Sequence, residues 1–170
     1  MRFVIRDAHL GDARSLIELR KQLDDIHAEA RPDLFASGYF YDENEIVTLF
    51  AAQKSKIIVV GDGSSSRVLA YMVLNTEKAP QSPIFNYPRT FVYINDLCVS
   101  EAYRDQGIGK ALMEYAIGYA KEIGAHTLEL NVAEFNMKAI GLYESMGLRT
   151  RNRRMELLLA EEARGRDGDE

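Results

Sequence analysis

The chain has 170 residues, of which 46% are hydrophobic and 28% are charged, and its formal net charge is −5. This size and composition indicate one domain with its own core, and the nearly neutral balance does not favour nucleic acid or an anionic membrane as a partner. A single cysteine, Cys98, excludes an internal disulfide, and the three histidines lack metal-ligand spacing, so we expect no metal site.

The first half of the chain is predicted to begin with a strand and two helices. Residues 2–6 have the pattern of a short strand, and apolar side chains at helical spacing then predict a helix that ends before the Arg31–Pro32 pair. A second helix is predicted over residues 42–53, with Asp42 as its N-cap. Two β-rich runs within residues 56–75, separated by Gly, Ser and Asp, indicate a hairpin.

A strand–helix–strand unit is predicted in the second half of the chain. Three of the four prolines lie in residues 78–90, which we expect to form a long loop. Residues 90–99 follow as the most strand-like run, then a helix over residues 103–125 that stops at Gly124, and then a strand over residues 126–132. Such a unit almost always pairs its strands in parallel, whereas the earlier strands, joined by short turns, should be antiparallel.

The C-terminal part is predicted to add a helix over residues 136–147, closed by Gly147, and a last strand or hairpin over residues 148–159. The acidic residues 160–170 are expected to form a disordered tail. Residues 1–159 are therefore predicted to form a single α/β domain, with a mixed, partly antiparallel central sheet and helices on both faces.

The segment Arg104–Lys110, between the predicted strand and helix, carries the main chemical signal. Gly107 and Gly109 let the backbone turn so that several N–H groups at the helix start point into one space, which suits a phosphate or pyrophosphate. Alternatively, the two glycines only permit a tight turn. The segment is not a Walker loop, because Ala111 follows the lysine, and not a dinucleotide fingerprint, because Leu112 replaces the third glycine.

What the segment does match is the pattern [Arg or Gln]-x-x-Gly-x-[Gly or Ala], and residues 91–148 as a whole resemble the GNAT superfamily of N-acyltransferases. The downstream run LELNVAEFNMKAIGLYESMGL, with Asn136, Tyr143 and the closing Met-Gly-Leu, extends the resemblance. The resemblance implies a GNAT-like domain with a splayed pair of parallel strands. It also implies an acetyltransferase that moves an acetyl group from acetyl-CoA, its cosubstrate, directly to a primary amine in a ternary complex. A non-catalytic acyl-CoA-binding or regulatory protein on the same fold is the alternative.

The resemblance also assigns a position to each part of the cofactor. Backbone N–H groups around Gln106–Lys110 would hold the pyrophosphate of CoA, with Arg104 near the phosphates. A bulge would leave main-chain groups near Leu97–Val99 free to bind the pantetheine arm and to polarise the thioester carbonyl. The residues that it assigns to cofactor binding are Leu97, Cys98, Val99, Arg104, Asp105, Gln106, Gly107, Ile108, Gly109, Lys110, Asn131, Asn136 and Tyr143.

Asn136 and Tyr143 are seven residues apart, so they share one face of the predicted helix. A tyrosine has an unperturbed pKa of about 10 and is protonated at neutral pH, so Tyr143 is the candidate general acid for the departing thiolate. The alternatives are an N-capping role for Asn136 and a core aromatic role for Tyr143.

The base that takes a proton from the incoming ammonium is left open. Many family members carry a glutamate where this chain has Asn95, just before an aspartate that corresponds here to Asp96. We include Asp96 among the catalytic candidates, with a structural role as its alternative. His27, Glu29 and Asp33 are further candidates, or else residues of a solvated face.

Two other features bear on the mechanism and the acceptor. Cys98 allows a covalent ping-pong route, but a thiol within an apolar strand is more often an inert small hydrophobe, so we prefer direct transfer. Residues 27–45 combine aromatic rings with carboxylates, which suit a cationic amine carried by a small molecule or a peptide. These aromatic rings could instead pin a loop to the sheet.

The last features concern partners and location. The arginines of residues 149–154 allow a nucleic-acid hypothesis, against which stand the net charge and a solvated strand edge as the simpler explanation. Met155, Leu157 and Leu159 on one face of the predicted last strand could pair across a homodimer interface. Because the N-terminus lacks a signal-peptide pattern and no run approaches a membrane span, we expect a cytoplasmic protein.

Overall fold

The computed structural model describes residues 3–36, 42–52, 54–63, 67–80, 88–157 and 159. Three parts of the sequence-based prediction lie outside the described residues: residues 37–41 of the predicted acceptor region, much of the loop within residues 78–90, and the tail of residues 160–170. The elements, in chain order, are β1 (Phe3–Asp7), α1 (Ala13–Ala30), α2 (Glu43–Ala51), β2 (Ser55–Asp62), β3 (Val68–Lys78), β4 (Thr90–Val99), α3 (Ile108–Glu122), β5 (Thr127–Leu130) and α4 (Met137–Ser145).

The five strands form one mixed sheet in the order β1-β2-β3-β4-β5. Neighbours from β1 to β4 are antiparallel, and β5 is parallel to β4, which it reaches through α3. The predicted mixed sheet, the hairpin of β2 and β3, and the parallel strand–helix–strand unit are confirmed.

Helices cover both faces of the sheet, as predicted. On the face that we call the α1 face, Leu16 and Leu19 of α1 and Ile46 of α2 pack on alternate residues of β2 and β3. On the opposite face, the α3 face, Leu112 and Met113 of α3 lead a second buried cluster, against which α4 packs. The sheet therefore has two cores, and each strand residue belongs to one of them according to its parity.

Local signals in the sequence define the ends of the helices. Asp42 caps α2, since its carboxylate accepts from the Glu45 N–H at 2.8 Å while the Glu45 carboxylate accepts from the Asp42 N–H at 2.9 Å. This reciprocal pair of bonds satisfies two N–H groups at the helix start. α1 ends at Ala30, directly before the Arg31–Pro32 pair, as predicted.

The predicted last strand is wrong for the described residues 148–157 and 159, which form neither strand nor helix. Met155, Leu157 and Leu159 are 87%, 81% and 89% exposed. The segment is tied to the body by ion pairs instead, such as that of Arg31 with Glu156 at 2.6 Å. An alternating pattern forms a strand only where a neighbouring strand completes its hydrogen bonds, and no described residue of this chain does so here.

Candidate active site

The two parallel strands, β4 and β5, separate about halfway along β4. β5 pairs only with Phe91–Ile94 of β4, through Thr127–Leu130, while β4 runs on to Val99 without it. The register between β3 and β4 shifts at the same point, since Leu74 pairs with Ile94 and Val73 pairs with Asp96. One residue, Asn95, is therefore an extra residue in β4 and forms a bulge.

The bulge changes which side chains of β4 face which core. Before it, Ile94 lies in the core of the α3 face; after it, Leu97 and Val99 pack on that face, while Cys98 belongs to the core of the α1 face. Because a strand alternates strictly, the single inserted residue reverses the parity. The predicted splay between β4 and the segment that follows β5 is thus present, and Asn131, just past the end of β5, is exposed beside it.

The start of α3 presents unpaired backbone N–H groups. Gly107 has φ of +81° at the N-cap position, and no side chain of the described residues caps the helix. The first bond into the helix runs from the Ala111 N–H to the Gly107 carbonyl at 3.0 Å. Within the described part of the chain, the N–H groups of Gln106–Lys110 find no acceptor. Such a helix start carries positive potential and is suited to an anion.

The second glycine of this segment has a packing reason of its own. A Cβ atom on Gly109 would lie 3.2 Å from Cδ2 of Leu142, whereas a Cβ on Gly107 would meet nothing within 4 Å. Gly109 therefore lets α3 approach α4 closely, and Gly107 provides the left-handed backbone of the turn. The two glycines do both things that the sequence had left as alternatives: they make the turn, and they leave the N–H groups uncovered.

Charged side chains surround this helix start. Arg104 donates from Nε to the Val99 carbonyl at 3.2 Å, so this carbonyl at the end of β4 already has a partner. The other N–H groups of the guanidinium remain as donors near the helix start. Asp105 and Lys138 of α4, both largely exposed, form an ion pair at 3.5 Å. This pair offsets the negative charge of a carboxylate placed beside a potential anion site.

The helix α4 carries Asn136 and Tyr143. Asn136 caps it, with Oδ1 accepting from the Ala139 N–H at 3.2 Å, which confirms the capping role considered from the sequence. Tyr143 is half-buried and packs on the core of the α3 face. Burial raises the pKa of the Tyr143 hydroxyl above its ordinary value, so the group is a proton donor, and not a phenolate, at neutral pH.

Asp96 lies on the other face of the sheet, against α1. Its Oδ1 accepts from Nη1 of Arg20 at 2.6 Å, and the Nε of Arg20 also binds Asp24 at 3.0 Å. Burial raises the pKa of Asp96, and the charge and hydrogen bond of Arg20 only partly oppose it. The two residues predicted to be catalytic, Asp96 and Tyr143, therefore lie on opposite faces of the sheet.

Cys98 has the environment of an inert core residue. Its Sγ donates to the Leu19 carbonyl at 3.2 Å, and its side chain is buried in the core of the α1 face. Burial raises the pKa of the thiol to about 12. Since the thiolate is the reactive form, this side chain is a poor nucleophile at neutral pH.

The remaining predicted base candidates lie at the end of α1. His27 is half-buried, and its ring is 5.3 Å from that of Phe35 and 5.6 Å from that of Phe135, measured between centroids. Asp33 is engaged by Arg31 at 2.7 Å, and Glu29 is exposed. The contact between His27 and Phe135 was missed by the sequence analysis, because it joins residues of two distant elements.

Among the described residues, no cluster of three or more His, Cys, Asp or Glu side chains has a geometry that could hold a metal ion. No helix in the described ranges combines the length and the apolar character needed to cross a membrane.

Comparison with known proteins gives consistent matches. A model of the acetyltransferase (GNAT) family matches residues 20–148. A thialysine N-epsilon-acetyltransferase from Bos taurus is 30% identical over 159 residues, which cover 86% of this chain and 85% of that protein. An L-ornithine N5-acetyltransferase from Arabidopsis thaliana is 37% identical over 68 residues, which cover 40% of this chain but only 29% of that protein.

The fold is matched as well. A solved structure of a mutant protein from Bacillus halodurans shares 32% identity with this chain and has a TM-score of 0.87, covering 92% of this chain and 99% of its own. The free N–H groups at the start of α3 and the diverging ends of β4 and β5 lie within the region of the family match. This chain belongs to the GNAT family of acetyltransferases, which use acetyl-CoA as their cosubstrate.

Proposed function

We propose that this protein is an N-acetyltransferase that moves an acetyl group from acetyl-CoA to a primary amine by direct transfer in a ternary complex. One observation carries the proposal: free N–H groups at the start of α3 lie on the helix that connects β4 to β5, whose ends diverge. The first feature suits a pyrophosphate, and the second leaves strand edges open to the amide-bearing arm of CoA. Together they fit the two ends of one ligand.

The cofactor would be held mainly by backbone groups. The N–H groups of Gln106–Lys110 would bind the pyrophosphate, and the N–H groups of Arg104 that do not reach Val99 would neutralise its charge. Main-chain groups of Leu97–Val99 that face away from β3 would bind the pantetheine arm. Asn131, exposed past the end of β5, and the amide nitrogen of Asn136 are the polar groups on the other side of the gap.

Tyr143 is the proposed general acid. Its pKa is raised by burial, so a proton is available to the CoA sulfur as the carbon–sulfur bond breaks. Direct transfer is supported by Cys98, because a thiol with a pKa of about 12 is a poor attacking group at neutral pH. The amine would therefore attack the thioester itself.

The acceptor is proposed to be a small molecule or a peptide with an aliphatic primary amine. The relatives named for thialysine and L-ornithine support this class, since the names of both describe acetylation of a side-chain amine. Nothing in the arrangement of the described residues favours a nucleic acid or a membrane as a partner. A cytoplasmic location is part of the same proposal.

A homodimer is the proposed assembly. Met155, Leu157 and Leu159 project from a segment that has no strand neighbour among the described residues, and the outer edge of β5 is equally unpaired there. Pairing with a second copy would bury these side chains and complete backbone hydrogen bonds. Sedimentation of the full chain tests this assembly, and a mass equal to one chain at micromolar concentration would refute it.

The test of the function is a screen of amine acceptors in which release of free CoA thiol is measured. Ornithine, thialysine, polyamines, aminoglycosides and peptides with free N-termini are each supplied with acetyl-CoA, and at least one aliphatic amine is expected to give turnover. The variant Tyr143→Phe is the matched control for enzymatic release. Confirmed acetyl-CoA binding without turnover would instead favour a binding or regulatory protein, for which Asn95, in place of the usual glutamate, is the supporting observation.

A further inference from the structure

His27 lies between two exposed phenylalanines that belong to different parts of the chain. Phe35 follows α1 and is 39% exposed; Phe135 precedes α4 and is 37% exposed. The ring of Phe135 meets the imidazole nearly edge-on, at an interplanar angle of 76°. Large aromatic side chains that stay exposed on both sides of a histidine indicate more than core packing.

The hydrogen bond of His27 defines which ring nitrogen is free. Nδ1 is 2.8 Å from the Leu23 carbonyl. A carbonyl oxygen only accepts, so Nδ1 carries a hydrogen, and in the neutral imidazole Nε2 then has the lone pair. Among the described residues, no donor or acceptor binds Nε2. The side chain is thus held in the tautomer that a general base requires.

The position of His27 connects it to the gap between the strands. Phe135 stands five residues after Leu130, the last residue of β5 that pairs with β4. On the other strand, Asp96 is the first residue after the bulge, and it lies within electrostatic range of His27, although burial, the largest effect, raises the pKa of Asp96 overall. His27 therefore lies near both strands where they part, on the α1 face and opposite Tyr143.

We propose that His27, framed by Phe35 and Phe135, is the acceptor end of the active site, and that its Nε2 takes the proton of an aliphatic ammonium ion. This inference rests on the proposed acetyltransferase function and assigns the base that the function lacks. The two rings provide faces for the cation and for the methylene groups next to it. The substrate class is a primary alkylamine that enters from the α1 face.

The proton balance of the reaction follows from this assignment. The ammonium loses one proton to Nε2, and the free amine attacks the thioester carbonyl, forming the nitrogen–carbon bond. The carbon–sulfur bond then breaks, and the sulfur takes a proton from Tyr143. The amide nitrogen loses its second proton, which restores the Tyr143 hydroxyl, and His27 releases the first proton to solvent.

The charged neighbours of His27 are few among the described residues. Asp96 lies near it on β4, and Asp24 precedes it by about one turn on α1; the guanidinium of Arg20 binds both carboxylates. The ion pair of Arg31 and Asp33 follows α1, and Glu134 is the sequence neighbour of Phe135. Carboxylates therefore outnumber cations around the imidazole, which favours the approach of a positively charged amine.

The experiment replaces His27 by asparagine, whose amide can still donate to the Leu23 carbonyl while no basic nitrogen remains. With the best amine of the acceptor screen, His27→Asn is expected to lower kcat at pH 7 by about 100-fold, with acetyl-CoA affinity unchanged. Between pH 7 and 9 its kcat/KM is expected to rise about tenfold per pH unit, as the fraction of free amine does, whereas the parent enzyme gains less.

Two further variants separate a base from a structural contact. His27→Ala leaves a cavity, and added imidazole is expected to restore its rate in proportion to the concentration of the neutral imidazole. His9→Asn is the matched control at a histidine with a largely exposed side chain, and it is expected to keep full activity. If His27→Asn lowers the melting temperature, the imidazole rescue still distinguishes lost chemistry from lost packing.

The outcomes of the inference and of the proposed function are distinct. Suppose that the parent enzyme is active. If His27→Asn then keeps its kcat, or if added imidazole does not raise the rate of His27→Ala, only the proposed role of His27 is overturned. A parent enzyme that binds acetyl-CoA but acetylates no amine would overturn the proposed function itself.

Phe135→Leu tests whether the ring of Phe135 belongs to the acceptor site. KM for the amine is expected to rise about threefold with acetyl-CoA affinity unchanged. An unchanged KM would remove Phe135 from the acceptor site.

Discussion

Arg20 binds Asp96 at 2.6 Å across the interface of α1 and β4, with the same guanidinium also holding Asp24. This contact fixes the middle of α1 against the strand at the residue directly after the bulge. One carboxylate oxygen of Asp96 is therefore occupied by a cation before any substrate arrives. We infer that Asp96 positions α1, and with it His27, and does not collect the proton of the substrate.

Asp96→Asn tests this positioning role. Asparagine keeps an oxygen that accepts from Arg20, so kcat is expected to fall by less than about tenfold, well short of the loss expected for a missing base. The kcat of the variant is measured as the rate of thiol release at saturating amine and acetyl-CoA. A loss of 100-fold or more, with no change in the melting temperature, would return Asp96 to the catalytic group.

The same residue gives a pH dependence of stability. Because burial raises the pKa of Asp96 above its usual value of 3.8, the native state holds this proton more tightly than the unfolded chain does. Its contribution to the free energy of unfolding is therefore largest at low pH and declines as pH rises from about 4 through the folded-state pKa. Urea titrations from pH 4 to 7 should show that the free energy of unfolding declines less with pH for Asp96→Asn than for the parent protein. If the two dependences on pH are parallel, the raised pKa of Asp96 is contradicted.

Tyr143→Phe is expected to lower kcat by about 100-fold while the Kd for acetyl-CoA changes little, because only the hydroxyl is lost and the ring keeps its packing on the core. Single-turnover measurements of thiol release, with Kd from calorimetry, separate the two quantities. Equal losses in both would show that the hydroxyl serves binding and not proton transfer.

Gly109 and Gly118 form a matched pair on α3. Gly109→Ala places a Cβ 3.2 Å from Leu142, so it is expected to push α3 from α4 and raise the Kd for acetyl-CoA by about tenfold. Gly118→Ala meets nothing within 4 Å and is expected to stabilise the helix by about 0.5–1 kcal/mol without affecting Kd. Calorimetric titration with thermal unfolding checks both, and equal Kd values for the two variants would refute the close approach at Gly109.

Cys98→Ser should preserve activity to within a few-fold, since the serine hydroxyl can still donate to the Leu19 carbonyl and no thiol chemistry is required. Mass spectrometry of the parent enzyme, mixed with acetyl-CoA and no amine, should show no acetylated protein. An acetyl group found on Cys98 under these conditions would support the ping-pong route.

Much of this fold is predictable from short-range signals. The end of α1 before Arg31–Pro32 and the cap at Asp42 follow from local sterics and hydrogen bonding, and the parallel pairing of β4 with β5 follows from their connection through α3. The glycines at the start of α3 and the free N–H groups there were predictable for the same reason, since a helix start is determined by a few neighbouring residues.

The features that the sequence predicted wrongly, or did not predict, depend on contacts between residues that are far apart in the chain. The alternation of residues 148–159 predicts a strand, yet a strand requires a neighbour that the described part of the chain does not provide. A bulge in β4 was inferred only from resemblance, and its position at Asn95 was not predicted, because alternation in β4 contains no mark of the inserted residue. The aromatic frame of His27 joins α1 to the segment before α4, and nothing in either stretch points to the other.

The bulge at Asn95 also determines which side of the sheet each later residue of β4 faces. If Asn95 were paired as an ordinary strand residue and did not bulge, strict alternation would turn Asp96 and Cys98 toward the apolar side chains of α3, and Leu97 and Val99 toward the salt links of α1. Deleting Asn95 itself would therefore keep the two sides as they are, whereas deleting one paired residue after it would exchange the sides of all residues that follow. Which contacts lie on which side of this sheet depends on whether the number of paired residues is odd or even.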